Sequence, residues 1–198
     1  MIEGVTGVVL TGGRSRRFGS NKALAPWRGE RLIEAPVRVL AGLFRETLIA
    51  AKDPGAYDFL AGDGIRVVRD DSPSSHPAVG VLAGLRAAAT ERIFVCACDM
   101  PLIRPALVRR LCAAARDHDA AVPVWRGQAQ PLCAVYSQRC RYALEGLFSR
   151  GTPGLREIFA AVDTRFLPEH AAAVDDPRGL SFFDVDTPAA LREAVHAY

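Results

Sequence analysis

The sequence predicts an α/β fold: a single Rossmann-like, three-layer domain around a mostly parallel sheet. Three observations predict it. Short β-branched apolar runs alternate with amphipathic stretches through residues 5–116, the pattern of strands joined by crossover helices. A glycine-rich basic loop follows the first apolar run, and an aspartate follows the run at 93–97, where open parallel sheets bind ligands beyond the carboxyl ends of their strands. The 198 residues, 49% of them hydrophobic, suffice for one sizeable core, so residues 1–198 are expected to form one domain.

Residues 5–10 (VTGVVL) are short, β-branched and bounded by turn residues, which predicts a buried strand. Apolar residues at Leu32, Pro36, Val39, Leu40, Leu43 and Phe44 form a stripe that predicts a helix over 32–44. A strand at 47–51, a short helix near 55–61, a strand at 65–69, a helix at 81–89, a strand at 93–97 and a helix at 105–116 follow. After residue 120 the pattern changes. Residues 120–125 and 132–136 flank a polar turn, 126–130 (RGQAQ), and predict a hairpin-like pair. Helices at 138–149 and 154–162 and a final strand near 165–167 follow, and the sequence has no repeats or low-complexity tracts.

Composition narrows the function. A net charge of +3 is too small to imply nucleic-acid binding. No run approaches a membrane span, and the N-terminus lacks the charged-then-apolar form of a signal peptide, so a cytoplasmic protein without a membrane partner is expected. Five cysteines, an odd number without C-x-x-C spacing, suggest neither a disulfide framework nor a zinc site. Cys96 and Cys98 read as small apolar packing residues. The four histidines are scattered, and His76 reads as a loop residue.

The chemistry concentrates in residues 10–22 (LTGGRSRRFGSNK). Gly12 and Gly13 let the chain turn sharply and bring backbone N–H groups close to phosphate oxygens, so Leu10, Thr11, Gly12 and Gly13 form a candidate anion cradle. The spacing of Gly13, Gly19 and Lys22 fits neither G-x-G-x-x-G nor a P-loop. Arg14, Arg16, Arg17 and Lys22 place four cations beside it. One unit-charge contact at 4 Å is worth roughly 4 kcal/mol at an effective dielectric of 20. Arg17 and Lys22 bracket Gly19 and suit a loop folded over phosphates, whereas Arg14 and Arg16 read as solvated. A plain Gly-Gly turn beside a solvated basic patch is the alternative for this segment alone.

Three further acids matter. Asp99 lies just past the strand at 93–97, within Cys-Asp-Met-Pro, and six residues too early to cap the next helix. Asp71, after the strand at 65–69, reads as the opening of an Asp-Ser-Pro loop. Asp186, in residues 184–188 (DVDTP), reads as part of the start of a last helix, with Thr187 as N-cap and Pro188 at the first helical position.

Residues 10–24 (LTGGRSRRFGSNKAL) resemble the signature loop of the nucleotidyltransferases related to molybdenum cofactor guanylyltransferase, approximately L-A-G-G-x-S-x-R-M-G-x-D-K-A-L. Residues 80–84 (GVLAG) look like that family's G-P-L-A-G turn, Cys98 to Pro101 like its C-D-x-P, and DVDTP like its N-I-N-T-P. Four motifs in order make the resemblance specific and nearly full-length. Thr11, Phe18, Lys52 and the acidic DVDTP depart from the family pattern.

The resemblance implies a nucleotide-diphosphosugar-transferase-like fold and transfer of GMP from GTP to a molybdopterin-type phosphorylated acceptor, with release of pyrophosphate. It implies Mg²⁺ on Asp99, with Asp186 as a second metal ligand, and a nucleotide contact at Asp71. Catalysis falls to Lys22, Arg17 and Asp99. Residues 1–118 would bind nucleotide and 119–198 the acceptor, through the segment beginning at Gln130 and through Arg126, Arg150 and Arg156. Partners in molybdoenzyme maturation would follow. Other nucleotidyltransferases of this fold, acting with CTP on the same pterin or on a sugar phosphate, and a non-catalytic nucleotide-binding protein are the competing readings.

Overall fold

The computed structural model of the chain describes residues 1–11, 21–70, 76–151, 154–185 and 187. In chain order, β1 (Val5–Leu10) leads to the hairpin β2 (Pro26–Trp27) and β3 (Glu30–Arg31), then α1 (Glu34–Ala41), β4 (Thr47–Ala51), β5 (Ile65–Arg69), α2 (Pro77–Ala87) and β6 (Arg92–Ala97). The remainder is α3 (Pro105–Ala114), β7 (Ala120–Trp125), β8 (Gln128–Ala129), β9 (Cys133–Ser137), α4 (Gln138–Phe148), β10 (Thr164–Leu167) and α5 (Glu169–Ala172). The main sheet has the order β10-β7-β9-β6-β1-β4-β5, with β8 paired to β7.

β1 is buried at all six positions and pairs in parallel with β4 and β6. Successive side chains of a strand point to opposite faces, and the core divides accordingly. Val9, Ile49, Phe94 and Cys96 join α1 and α3 in one apolar layer, while Val8, Leu48, Ile93 and Val95 join α2 and α4 in the other. The predicted three-layer α/β domain with a mostly parallel sheet is the observed one.

β9 runs antiparallel to both neighbours, in register from Arg92↔Ser137 to Cys96↔Cys133 with β6 and at Ala120↔Tyr136 with β7. Two reversals bring β7 back into the direction of β6. The end of β7, the start of β9 and the ends of β1, β4 and β6 therefore share one edge of the molecule. The hairpin-like pairing expected here is present, but RGQAQ is not one turn. Arg126 and Gly127, at φ 50° and 73°, make the turn alone, and Gln128 and Ala129 return as β8.

Other boundaries move for identifiable reasons. The helix expected at 32–44 is only α1, because Leu32 and Ile33 donate their N–H groups back to Ala25 and Ala23, and Gly42 closes the helix on Arg38. Leu43 and Phe44 are nevertheless buried: the apolar stripe reported burial beyond the helical backbone. The segments near 55–61 and 154–162 form short 3₁₀ helices, Pro54–Leu60 and Leu155–Ala160, since i+3 bonds suit such short pieces.

The helix expected at 81–89 begins at Pro77, with His76 as its N-cap accepting from the Ala78 N–H at 3.3 Å. GVLAG is consequently not a turn but part of α2. Gly80 and Gly84 stand four residues apart on one helical face, and a Cβ at Gly84 would lie 2.9 Å from Val8 Cγ1. The glycines let α2 sit directly on β1. Gly84→Val should destabilise the fold by about 1–3 kcal/mol through overpacking, read as a lowered midpoint in urea denaturation.

Candidate active site

The strand ends clamp the start of the glycine loop. Leu10 accepts the Cys98 N–H at 3.0 Å, and Thr11 donates both its N–H and its hydroxyl to the Ala50 carbonyl, each at 3.1 Å. The Thr11 N–H is thus engaged by β4 as a sheet hydrogen bond in this structure. Gly12, Gly13, Arg14, Arg16 and Arg17 lie outside the described residues, as do Asp71 and Asp186.

On the far side of that loop the chain is anchored again. Asn21 caps a 3₁₀ turn, Lys22–Leu24, its Oδ1 accepting from the Ala23 N–H at 3.2 Å. Its amide nitrogen donates to the Tyr57 hydroxyl at 2.9 Å. Burial pushes the Tyr57 phenol above its usual range, against the opposing effect of the Asn21 contact, so it stays neutral and able to hydrogen-bond. Ala23 is buried and its carbonyl accepts the Ile33 N–H at 3.0 Å. Lys22 thus leaves a fixed turn.

Its ammonium meets the Asp99 carboxylate through Oδ2. Each side chain is 15% exposed. Oδ1 of Asp99 is buried and has no hydrogen-bond partner among the described residues. A buried acceptor left unmet costs about 1–3 kcal/mol, so an orphaned carboxylate oxygen at a strand end asks for a cation or a donor. The neighbouring Cys98 thiol is pushed up to about 12 by burial, with the Asp99 charge adding to it, and is no nucleophile at neutral pH. All five cysteines are buried and unpaired, as packing residues are.

A second clamp joins Asp99 to the tail of the chain. The Val185 N–H donates to the Asp99 carbonyl at 3.0 Å, and the Val185 side chain is buried with Trp27, Leu32 and Ala35. Val185 is tied in this way beside Cys-Asp-Met-Pro; the last helix expected to start at Thr187 lies outside the described residues. Among the described residues no group of three or more His, Cys, Asp or Glu cages a metal. Asp99 instead fits a hard cation that takes one or two carboxylates and completes its shell with phosphate oxygens and water.

Asp184 is exposed and lines a cavity of about 400 Å³ with Trp125, Arg126, Gln130, Arg178 and Phe182. Of the three arginines expected at the acceptor, Arg126 lines this cavity. Arg156 reaches Gln128 Oε1 and the Ala129 carbonyl at 3.3 Å, beneath the β7–β8 turn. Arg150 folds back on the Gly146 carbonyl at the end of α4 and is not among the lining residues. Lys52, one of the departures from the family pattern, pairs with the buried Asp70 at 3.7 Å.

Three residues that position the site were not singled out from the sequence. Asn21 and Tyr57 are 36 residues apart, and nothing local marks them as partners. Val185 is one apolar residue between acids, and that alternation was the available signal.

Lys22 held on the strand-end Asp99, with Val185 tied to the Asp99 carbonyl, is the arrangement the candidate site rests on, and the comparisons give the class, a nucleotidyltransferase. The family profile described as MobA-like NTP transferase domain matches residues 7–170, and the chain belongs to that family. It is 31% identical over 198 residues to a molybdenum cofactor guanylyltransferase of Desulfosudis oleivorans, spanning 99% of this chain and 96% of that one. A probable molybdenum cofactor guanylyltransferase of Pelotomaculum thermopropionicum is 35% identical, with 96% and 91% covered. The crystal structure of molybdopterin-guanine dinucleotide biosynthesis protein A from Archaeoglobus fulgidus superposes with a TM-score of 0.81 at 24% identity, covering 96% of each chain, and shares the fold.

Proposed function

We propose that this enzyme transfers GMP from GTP to a molybdopterin-type phosphorylated acceptor and releases pyrophosphate. The observation that carries the reading is the Lys22–Asp99 pair at the carboxyl ends of β1 and β6, with one Asp99 oxygen unpartnered among the described residues. The near full-length similarity to guanylyltransferases supports the choice of substrates.

The acceptor's terminal phosphate attacks the α-phosphorus of GTP in line. One P–O bond forms as the bond to the bridging α–β oxygen breaks. The attacking phosphate is already anionic, so no general base is needed, and the work is positioning and charge neutralisation. Lys22 exchanges Asp99 for the triphosphate, and Arg17 with the Gly12 and Gly13 amides holds the same group. Asp99, with Asp186 as a second carboxylate, would hold Mg²⁺, which supplies polarisation of the α-phosphoryl group when bound. Asp71 is assigned to the base. Guanine presents N–H donors that a carboxylate accepts.

Residues 1–118 bind the nucleotide in this reading, and residues 119–198 the acceptor. A cytoplasmic setting and partners in molybdoenzyme maturation belong to the same reading. GTP with Mg²⁺ should raise the melting temperature by several degrees more than CTP or ATP, since a ligand at a hundred times its Kd adds about 2.7 kcal/mol. Stabilisation by CTP alone would rule out the guanylyl assignment.

A further inference from the structure

We infer that the indole of Trp125, set in place by Gly179, is the platform on which the acceptor's planar ring system stacks. The inference rests on the proposed reaction and deepens it. Trp125 ends β7, half-buried, at the edge of the sheet that carries Asp99. One side of its ring is built by the segment 176–183. Gly179, at φ +64°, lies so close that a Cβ there would be 2.1 Å from Trp125 Cε2 and 2.2 Å from Cζ2. Phe182 completes the contact, its ring centroid 5.3 Å from that of Trp125 at a 34° tilt.

The segment is itself locked. Asp176 is 1% exposed and accepts the N–H groups of Leu180 and Ser181 at 2.9 and 2.7 Å. The Ser181 hydroxyl in turn accepts the Arg104 N–H at 2.9 Å. A buried carboxylate is spent on holding one turn of chain against one tryptophan, and the cavity of about 400 Å³ opens there.

Its lining is chemically mixed in a useful way. Trp125, Phe182 and Phe183 offer aromatic surface, Gln128 and Gln130 offer amides, and Arg126 and Arg178 offer guanidinium groups. Aromatic rings prefer offset or tilted partners, and arginine binds phosphate with parallel N–H donors. A flat heterocycle carrying amide-like edges and a phosphate matches all three. The cavity also includes Asp184, next to Val185, whose N–H is bonded to the Asp99 carbonyl. The cavity on Trp125 therefore borders the chain segment that is tied to Asp99.

Trp125 is thus a substrate-contacting residue, and Gly179 and Asp176 are positioning residues. The test is titration calorimetry of the full chain with neopterin monophosphate, and separately with GTP and Mg²⁺. Trp125→Ala and Gly179→Ala should each weaken the pterin phosphate at least tenfold, Trp125→Phe should stay within about threefold of wild type, and all three should bind GTP as wild type does. Pterin affinity unchanged in Trp125→Ala, or no pterin binding by the wild type, overturns the inference. If GTP binding and pyrophosphate release persist in that case, the proposed reaction survives it. Absence of GTP binding by the wild type would instead strike the reaction itself.

Discussion

Asp99→Ala should lower turnover by about 10³-fold while weakening GTP by no more than a few fold. The magnitude follows from removing a group that acts on charge developing at the reacting phosphorus rather than on ground-state binding. Asp99 sits beyond β6 with its backbone held from two sides, by the Val185 N–H on its own carbonyl and by the preceding Cys98 N–H on Leu10. Only its side chain changes in the variant. Asp99→Asn is the sharper form of the test, because the amide keeps the volume and loses the charge. Pyrophosphate release is the measurement, and wild-type turnover in either variant would remove Asp99 from the mechanism.

Lys22→Ala should cost about a hundredfold in turnover, more than it costs in GTP affinity. The same variant should bind Mn²⁺ about tenfold more tightly than wild type when no nucleotide is present. In the free protein the ammonium occupies Asp99 Oδ2, so a divalent ion must work against a positive neighbour in a poorly solvated place. A triphosphate removes that obstacle by drawing the lysine to itself. Nucleotide and metal are then expected to arrive together, and the metal alone to bind weakly. Equal Mn²⁺ affinity in the two proteins, read by electron paramagnetic resonance of the free ion, would show that the pair does not hold the metal off.

How far these groups could be found without coordinates depends on the distance over which the chain encodes them. Lys22 and Asp99 were legible because a glycine loop and a strand-end acid are local patterns with a chemical reason behind them. The order of the main-sheet strands and the helices through α3 was legible for the same reason, from the period of the apolar residues, whereas the two-residue strands β2 and β3 are too short to show a period and were missed. GVLAG misled. Glycine usually signals a turn, yet at Gly80 and Gly84 the missing side chain serves contact with Leu10 and Val8, which is visible only once α2 lies on β1. Asn21 on Tyr57, Val185 on Asp99 and Gly179 on Trp125 are tertiary contacts between distant segments, and no window of sequence contains both members of any of them.

The reversed strand β9 has a mechanical consequence. It hydrogen-bonds to β6 along the whole register from Arg92 to Cys96, so residues 1–118 and 119–198, proposed above for nucleotide and acceptor, are stitched into one stiff plank rather than two lobes on a pivot. Bringing two polyanions together then falls to the lysine arm and the segments that overhang the plank's edge, while the floor beneath them stays still.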